Sequence, residues 1–207
     1  LAAQLALHEE VESVMSRLYF SGLLNNGKRD LAIIGEGIEP DKEVKLGSFI
    51  TITAGRQLTN KDRDGILLGD GVAKTLGLKP GDRVTLVMTA AEGAMNTLDF
   101  EVIGVFQSFS KDFDSRAVRI PLPSAQELLV TKGANLMVLA LHKTEDTSKV
   151  VARLTGELQG GPLDLRSWSS LSDFYDKAVQ LYDRQFGVLQ MIILLMVLLS
   201  VANSVNM

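Results

Sequence analysis

No cysteine occurs among the 207 residues. That excludes disulfides, thiolate nucleophiles and thiolate metal sites, while leaving the compartment open. Histidine is almost as scarce, with only His8 and His142. They are far apart, and neither belongs to an H-E-x-x-H pair. His142 closes the apolar run Leu136 to Leu141 and reads as a strand-end residue; His8 precedes Glu9-Glu10 at a helix start and reads as solvated. No G-x-S-x-G elbow is present, and no nucleophile–base pair is visible for a hydrolase. Lys and Arg total 21 against 25 Asp and Glu, a net charge of −4, so the chain has no basic footprint for nucleic acid. Beyond Arg184 charge is missing altogether: the last 23 residues, to Met207, carry none. As a helix they would measure about 34 Å, enough to cross a hydrocarbon core.

The glycines are concentrated in "GILLGDGVAKTLGLKPGD", Gly65 to Asp82. A phosphate loop needs a second Gly five positions after the first, followed by Lys and Ser/Thr, so that N–H groups and an ammonium converge on one anion. From Gly65 the fifth position is Asp70, and from Gly69 it is Lys74. Both registers fail, and so does G-x-G-x-x-G, because Lys74 stands where the third Gly should. The stretch is read as turn chemistry: a short helix over Gly71 to Leu76, Gly77 as its left-handed stop, and Pro80-Gly81 as a type II turn. Arg83 to Ala90 then alternates as a half-buried strand with Val84, Leu86 and Met88 on one face.

Elsewhere, Val11, Val14, Met15 and Leu18 fall at i, i+3, i+4 and i+7, which predicts an amphipathic helix over Glu9 to Leu18. Asn25-Asn26-Gly27-Lys28 predicts a hairpin between Tyr19–Leu24 and Arg29–Ile38. Pro40 to Gly47 reads as a polar connection, Phe49 to Thr53 as a strand, and Thr97 to Phe106 as a strand pairing with Arg83 to Ala90. "SFSKDFDSR", Ser108 to Arg116, is a polar loop holding Phe109 and Phe113 among Lys111, Asp112, Asp114 and Arg116. Aromatics set among charges mark a candidate partner contact; alternatively both rings fold back onto the core. Ala117 to Leu122 reads as a short strand, and Ser124 with Glu127 as a capping box. Asn135 to His142 reads as a strand buried on both faces, Thr147 to Leu158 as a helix, and Leu163 to Trp168 as a strand, together a βαβ unit.

The predicted class is therefore α+β. A discontinuous α/β layer, residues 1–45 and 121–170, is interrupted by a small β-barrel-like unit over 46–120. Residues 171–207 form a single long helix. Leu171, Phe174, Tyr175, Ala178, Leu181, Tyr182 and Gln185 make its amphipathic stripe, and only Gly187 stands between that stripe and the uncharged span. This makes them the candidate coupling helix. The apolar start, Leu1 to Leu7, reads as the tail of an earlier span, and the far end as cut within or just past a second one.

"GRQLTNKDRDGILLGDGVAKTLGLKPGDRVTL" (Gly55 to Leu86), "FEVIGVFQSF" (Phe100 to Phe109), "IPLPSAQELL" (Ile120 to Leu129) and "LLSVANSVNM" (Leu198 to Met207) occur in that order. Together they resemble the MacB-type periplasmic core domain of FtsX-like ABC transporter permeases. The resemblance implies a porter-like α/β part with an inserted β part, lying outside the cell membrane. It implies no catalytic residue, no metal and no cofactor on this chain, ATP being bound by a separate cytoplasmic ATPase. It further implies a second permease copy or paralogue, the membrane, and an adaptor or lipoprotein as partners, and function by mechanotransmission. A sensor domain of a membrane receptor is the alternative, since it too would lie between two spans.

Overall fold

The computed structural model describes residues 5, 8–47, 50–89, 93, 95–158, 163–171, 181–182 and 184–197. The chain divides into two units, Leu1–His142 and Lys143–Met207.

The first unit is built on one eight-stranded sheet. Its strands are β1 (Val11–Asn25), β2 (Asp30–Ile38), β3 (Thr51–Gly55), β4 (Gly65–Gly69), β5 (Arg83–Thr89), β6 (Met95–Gln107), β7 (Ala117–Pro121) and β8 (Leu136–Leu141). Six of them pair in a closed circuit, β1–β2–β7–β4–β6–β5 and back to β1. β3 adds to β6, and β8 adds to the first half of β1. All six strands of the circuit send side chains into one core, among them Leu24, Ile33, Ile66, Leu68, Leu86, Phe100, Val102, Val118 and Ile120. The circuit thus joins strands within residues 46–120 to β1 and β2 before them. The ladders β1–β5 and β2–β7 cross the boundary expected near residue 45 for an inserted unit.

Four short helices with described bounds accompany these strands among the described residues: α1 (Pro40–Leu46), α2 (Asp70–Leu76), α3 (Lys111–Asp114) and α4 (Leu122–Leu129). α2 buries Val72, Ala73 and Leu76 in the main core, and Gly77 stops it in the left-handed region at φ 66°, as the glycine spacing predicts. α1 was expected to be a polar connection. Pro40 opens it, Asp41 and Glu43 fill its first turn, and Gly47 at φ 70° closes it, all in the order that suits helix ends. α4 starts earlier than the expected capping box. Pro121 is its N-cap, so Ser124 lies inside the helix, where its hydroxyl donates to the carbonyl of Arg63 instead of capping.

The largest correction is β1. Residues 11–18 form a strand, not an amphipathic helix. A bulge between Val11 and Ser13 shifts the alternation, and Val14 and Met15 are both buried although they point to opposite faces. Burial on both faces plus a one-residue slip reproduces helical spacing by coincidence. β8 is also corrected. It is a half-exposed strand pairing only with β1 among the described residues, not one buried on both faces.

In the second unit a 3₁₀ turn, Thr144–Asp146, leads into α5 (Thr147–Glu157), which buries Val150 and Leu154 as expected. The expected strand over Leu163 to Trp168 is absent: residues 163–167 have no regular structure and α6 (Trp168–Leu171) is one helical turn. The βαβ unit is therefore not formed here. Residues 184–197 are helical, with Gly187 inside the helix. No helix among the described residues is long and apolar enough to cross a membrane.

Candidate partner-contact site

The loop between β6 and β7 treats its two phenylalanines in opposite ways. Phe109 is 92% exposed. Phe113 is half-buried, its ring 6.5 Å from that of Phe106, in a second cluster with Leu58, Leu67 and Ala117. The two alternatives drawn from the sequence are thus divided between two residues. Phe113 folds back and Phe109 projects.

Hydrogen bonds fix this outcome. Asp114 is buried, and both its carboxylate oxygens accept from the backbone N–H of Ser108, at 3.0 and 3.1 Å. The Ser108 hydroxyl donates to the carbonyl of Ser110, and the Ser110 hydroxyl accepts from the N–H of Phe113 as the N-cap of α3. Asp114 therefore acts as the clamp of the loop rather than part of its outer surface. Its backbone lies against Gly69, where a Cβ would come 2.3 Å from the Asp114 carbonyl oxygen, so β4 needs glycine there. Lys111, Asp112 and Arg116 remain exposed around the projecting ring. The surface left available is one aromatic side chain flanked by charges of both signs, held on a clamped turn.

The candidate coupling residues fall differently. Leu181, Tyr182 and Gln185 are helical and exposed, and Leu171 ends α6. Phe174, Tyr175 and Ala178 lie outside the described residues. From Phe186 to Val197 every large apolar side chain is more than half exposed. Such a surface, apolar around its whole circumference, is not that of a helix solvated on one face.

Two ion pairs with a buried carboxylate, one of them buried on both sides, stand apart from the motifs. Glu36 of β2 and Arg119 of β7 are register partners, joined by Arg119 Nε to Glu36 Oε2 at 2.8 Å. The Arg119 guanidinium sits over the Phe106 ring at 5.6 Å. On β1, Arg17 grips the fully buried Glu43 of α1 through two hydrogen bonds, at 2.6 and 2.8 Å. Burial opposes the Arg17 charge, but the Glu43 contacts outweigh it and hold the guanidinium pKa above its ordinary value. Burial, reinforced by the charge of Glu36, pushes the Tyr19 phenol up as well. The signal for the first pair was present in the sequence: one charge of each sign stands inside an otherwise apolar strand, in "AIIGEGI" and "AVRIP".

The family model for the MacB-like periplasmic core domain matches residues 1–157. The chain belongs to that family. A curated relative, the lipoprotein-releasing system transmembrane protein LolE of Haemophilus influenzae, is 24% identical over 134 residues. The match covers 62% of this chain and 32% of the relative, so the chain spans about a third of that protein's length. The periplasmic region of MacB from Actinobacillus actinomycetemcomitans superposes with a TM-score of 0.57 at 18% identity, over 77% of this chain and 73% of the other. The extracellular domain of the ABC-type transporter YknZ from Gram-positive bacteria gives 0.59 at 16% identity, over 77% and 82%. At such identities the likeness speaks for the fold, a mixed α+β domain.

Proposed function

We propose that this chain is the extracytoplasmic domain of an ABC transporter permease subunit. In this reading it turns ATP hydrolysis by a separate cytoplasmic ATPase into movement or export of an envelope substrate. The observation that carries the reading is the family match over residues 1–157. ATP is bound by the partner, not here; the failed phosphate register at Gly65 to Thr75 fits that assignment. The subunit sits in the cell membrane, works with a second permease copy or paralogue, and meets an adaptor or lipoprotein outside. Phe109, flanked by Lys111, Asp112 and Arg116, is the candidate contact with that outer partner. A projecting aromatic on a clamped turn loses little freedom on binding and fits the pattern of an interface anchor.

The helix that includes residues 184–197 is the proposed lever. A helix transmits tilt and rotation because its hydrogen bonds form cooperatively. Its uniformly exposed apolar side chains suit insertion into lipid. The test is an insertion of Gly-Gly-Gly between Arg184 and Gln185 in the full permease. It adds a soft joint and about 100° of rotation per residue. Substrate delivery is expected to fall while the partner's ATP hydrolysis continues. Delivery at the wild-type rate by a correctly inserted variant would reduce the helix to an anchor and overturn the lever.

A further inference from the structure

The tip of the β1–β2 hairpin carries Asn26 followed by Gly27, and its fold gives that pair an unusual setting. Asn26 is half-buried, and both the oxygen and the nitrogen of its side-chain amide are hydrogen-bonded. Oδ1 accepts from the N–H groups of Lys28 at 3.0 Å and Arg29 at 2.8 Å. Nδ2 donates to the carbonyl of Leu76 at 2.8 Å. Leu76 is the last residue of α2, so the Asn26 amide caps that helix from 50 residues away in sequence. A helix C-terminus leaves carbonyls without intrahelical partners and carries partial negative charge. An amide donor satisfies both needs.

We propose that Asn26 is a deamidation site which the folded hairpin holds back, and whose conversion to aspartate or isoaspartate releases the hairpin tip from α2. In the reaction the backbone nitrogen of Gly27 attacks Cγ of Asn26. A C–N bond forms and the Cγ–Nδ2 bond breaks. The proton leaving the Gly27 nitrogen goes to the departing group, which leaves as ammonia. The resulting five-membered imide adds one water across either of its C–N bonds and opens to aspartate or isoaspartate. Gly27 has no side chain to obstruct the attack, and its φ of 82° is one that other residues rarely adopt.

The native geometry opposes this attack in two ways. The nucleophilic nitrogen is itself occupied, because the Gly27 N–H donates to Oδ1 of Asn25. The Asn26 carboxamide is fixed by its three bonds toward Lys28, Arg29 and Leu76. Reaction therefore requires the tip to open, and its rate reports that opening. The product cannot reclose the latch. A carboxylate has no hydrogen for the Leu76 carbonyl, and it places full negative charge against the negative end of α2.

The experiment incubates the 207-residue chain at mildly alkaline pH, native and in urea, and follows the tryptic peptide Leu18–Lys28 by mass spectrometry. Deamidation at Asn26 is expected to be about tenfold or more slower in the native chain, because the reactive state is a locally opened one. Equal rates in both conditions would overturn the protection. Asn26→Asp and Asn26→Ala are compared by hydrogen exchange at the end of α2, residues 76–78. Both are expected to exchange faster than wild type, the aspartate variant fastest. An aspartate variant that exchanges like wild type would show that the amide does not hold the tip, and would overturn the release.

Discussion

Removing Glu36 tests how the first unit tolerates charge in its core. Glu36 and Arg119 are only 4% and 7% exposed, and they meet at 2.8 Å. Arg119 Nη1 is buried with no hydrogen-bond partner among the described residues, so Glu36 is the acceptor that offsets the guanidinium charge. Glu36→Ala leaves that charge stranded, which costs roughly 3–5 kcal/mol when one partner of a buried pair is removed. Replacing both residues by apolar ones of similar length, Glu36→Leu with Arg119→Met, removes the desolvation problem along with the pair. The methionine keeps an apolar stem over Phe106, and such replacements run from neutral to about 1–4 kcal/mol stabilising. The double variant is therefore expected to be far more stable than Glu36→Ala. The assay is urea unfolding followed by far-UV circular dichroism and extrapolated to water. A loss under about 1 kcal/mol for Glu36→Ala, the range of a solvated pair, would refute the reasoning. So would a double variant as unstable as Glu36→Ala.

The two loop phenylalanines should separate cleanly. Phe109→Ser is expected to leave thermal unfolding within the small range typical of surface changes, about 0.5 kcal/mol, while Phe113→Ser loses about 2 kcal/mol of apolar burial. Equal effects would mean that the clamp at Asp114 does not divide them. The loop before β4 should resist acid. Asp62 accepts from Arg56 through two bonds of 2.7 Å, and from the N–H and hydroxyl of Thr59. These contacts, Arg56 first, hold its carboxyl well below the usual carboxylate range. A depressed carboxylate stabilises the folded state above its unfolded pKa, and that contribution fades as pH falls through the folded value. An NMR titration should therefore find the Asp62 carboxyl and the Thr59 amide unchanged down to about pH 4, the ordinary aspartate value. A midpoint at that value would refute the clamp.

Local chemistry was legible where one residue type has one use. Asn25 to Lys28 predicted the hairpin, and the register Leu24↔Leu31 with Asn25↔Asp30 closes on those residues. Gly77 and Gly81 mark a helix stop and a turn, and both adopt positive φ. Simple alternation located β5, which buries one face, and the first part of β6, before Val105 and Phe106 are buried in succession. Periodicity misled where burial was two-sided, at β1. β4 shows the same limit: all five residues from Gly65 to Gly69 are buried, and no alternation remained to reveal a strand inside a glycine-rich stretch. At the candidate contact, composition supplied the loop but not the fate of its rings. The sequence holds Asp112 and Asp114 as equals, and only the approach of Ser108 makes one a clamp and leaves the other outside. Long-range pairs such as Arg17–Glu43 depend on which strand neighbours which helix, and no local pattern carries that information.

β1 is where misreading and architecture meet, and its length explains why. At 15 residues it is the longest strand among the described residues, and it serves three ladders, with β8, with β2 and, over Leu23 to Asn25, with β5. Val11 to Arg17 pair with β8, and Leu18 to Asn25 pair with β2 inside the closed circuit. A strand cannot bend freely between two such ladders, because each residue's backbone bonds are already committed on at least one side. α1 strengthens the junction at the changeover: Glu43 holds Arg17, Glu39 accepts from the N–H of Ser16, and Lys42 reaches the carbonyl of Val14. Those are polar contacts, and Val44 and Leu46 of the same helix remain exposed. α1 is therefore fixed to β1 by charge and hydrogen bonding more than by apolar burial. A displacement applied to β8 would pass along β1 into the closed circuit with little slack. In the proposed permease, a domain that relays movement would need such a stiff cross-piece.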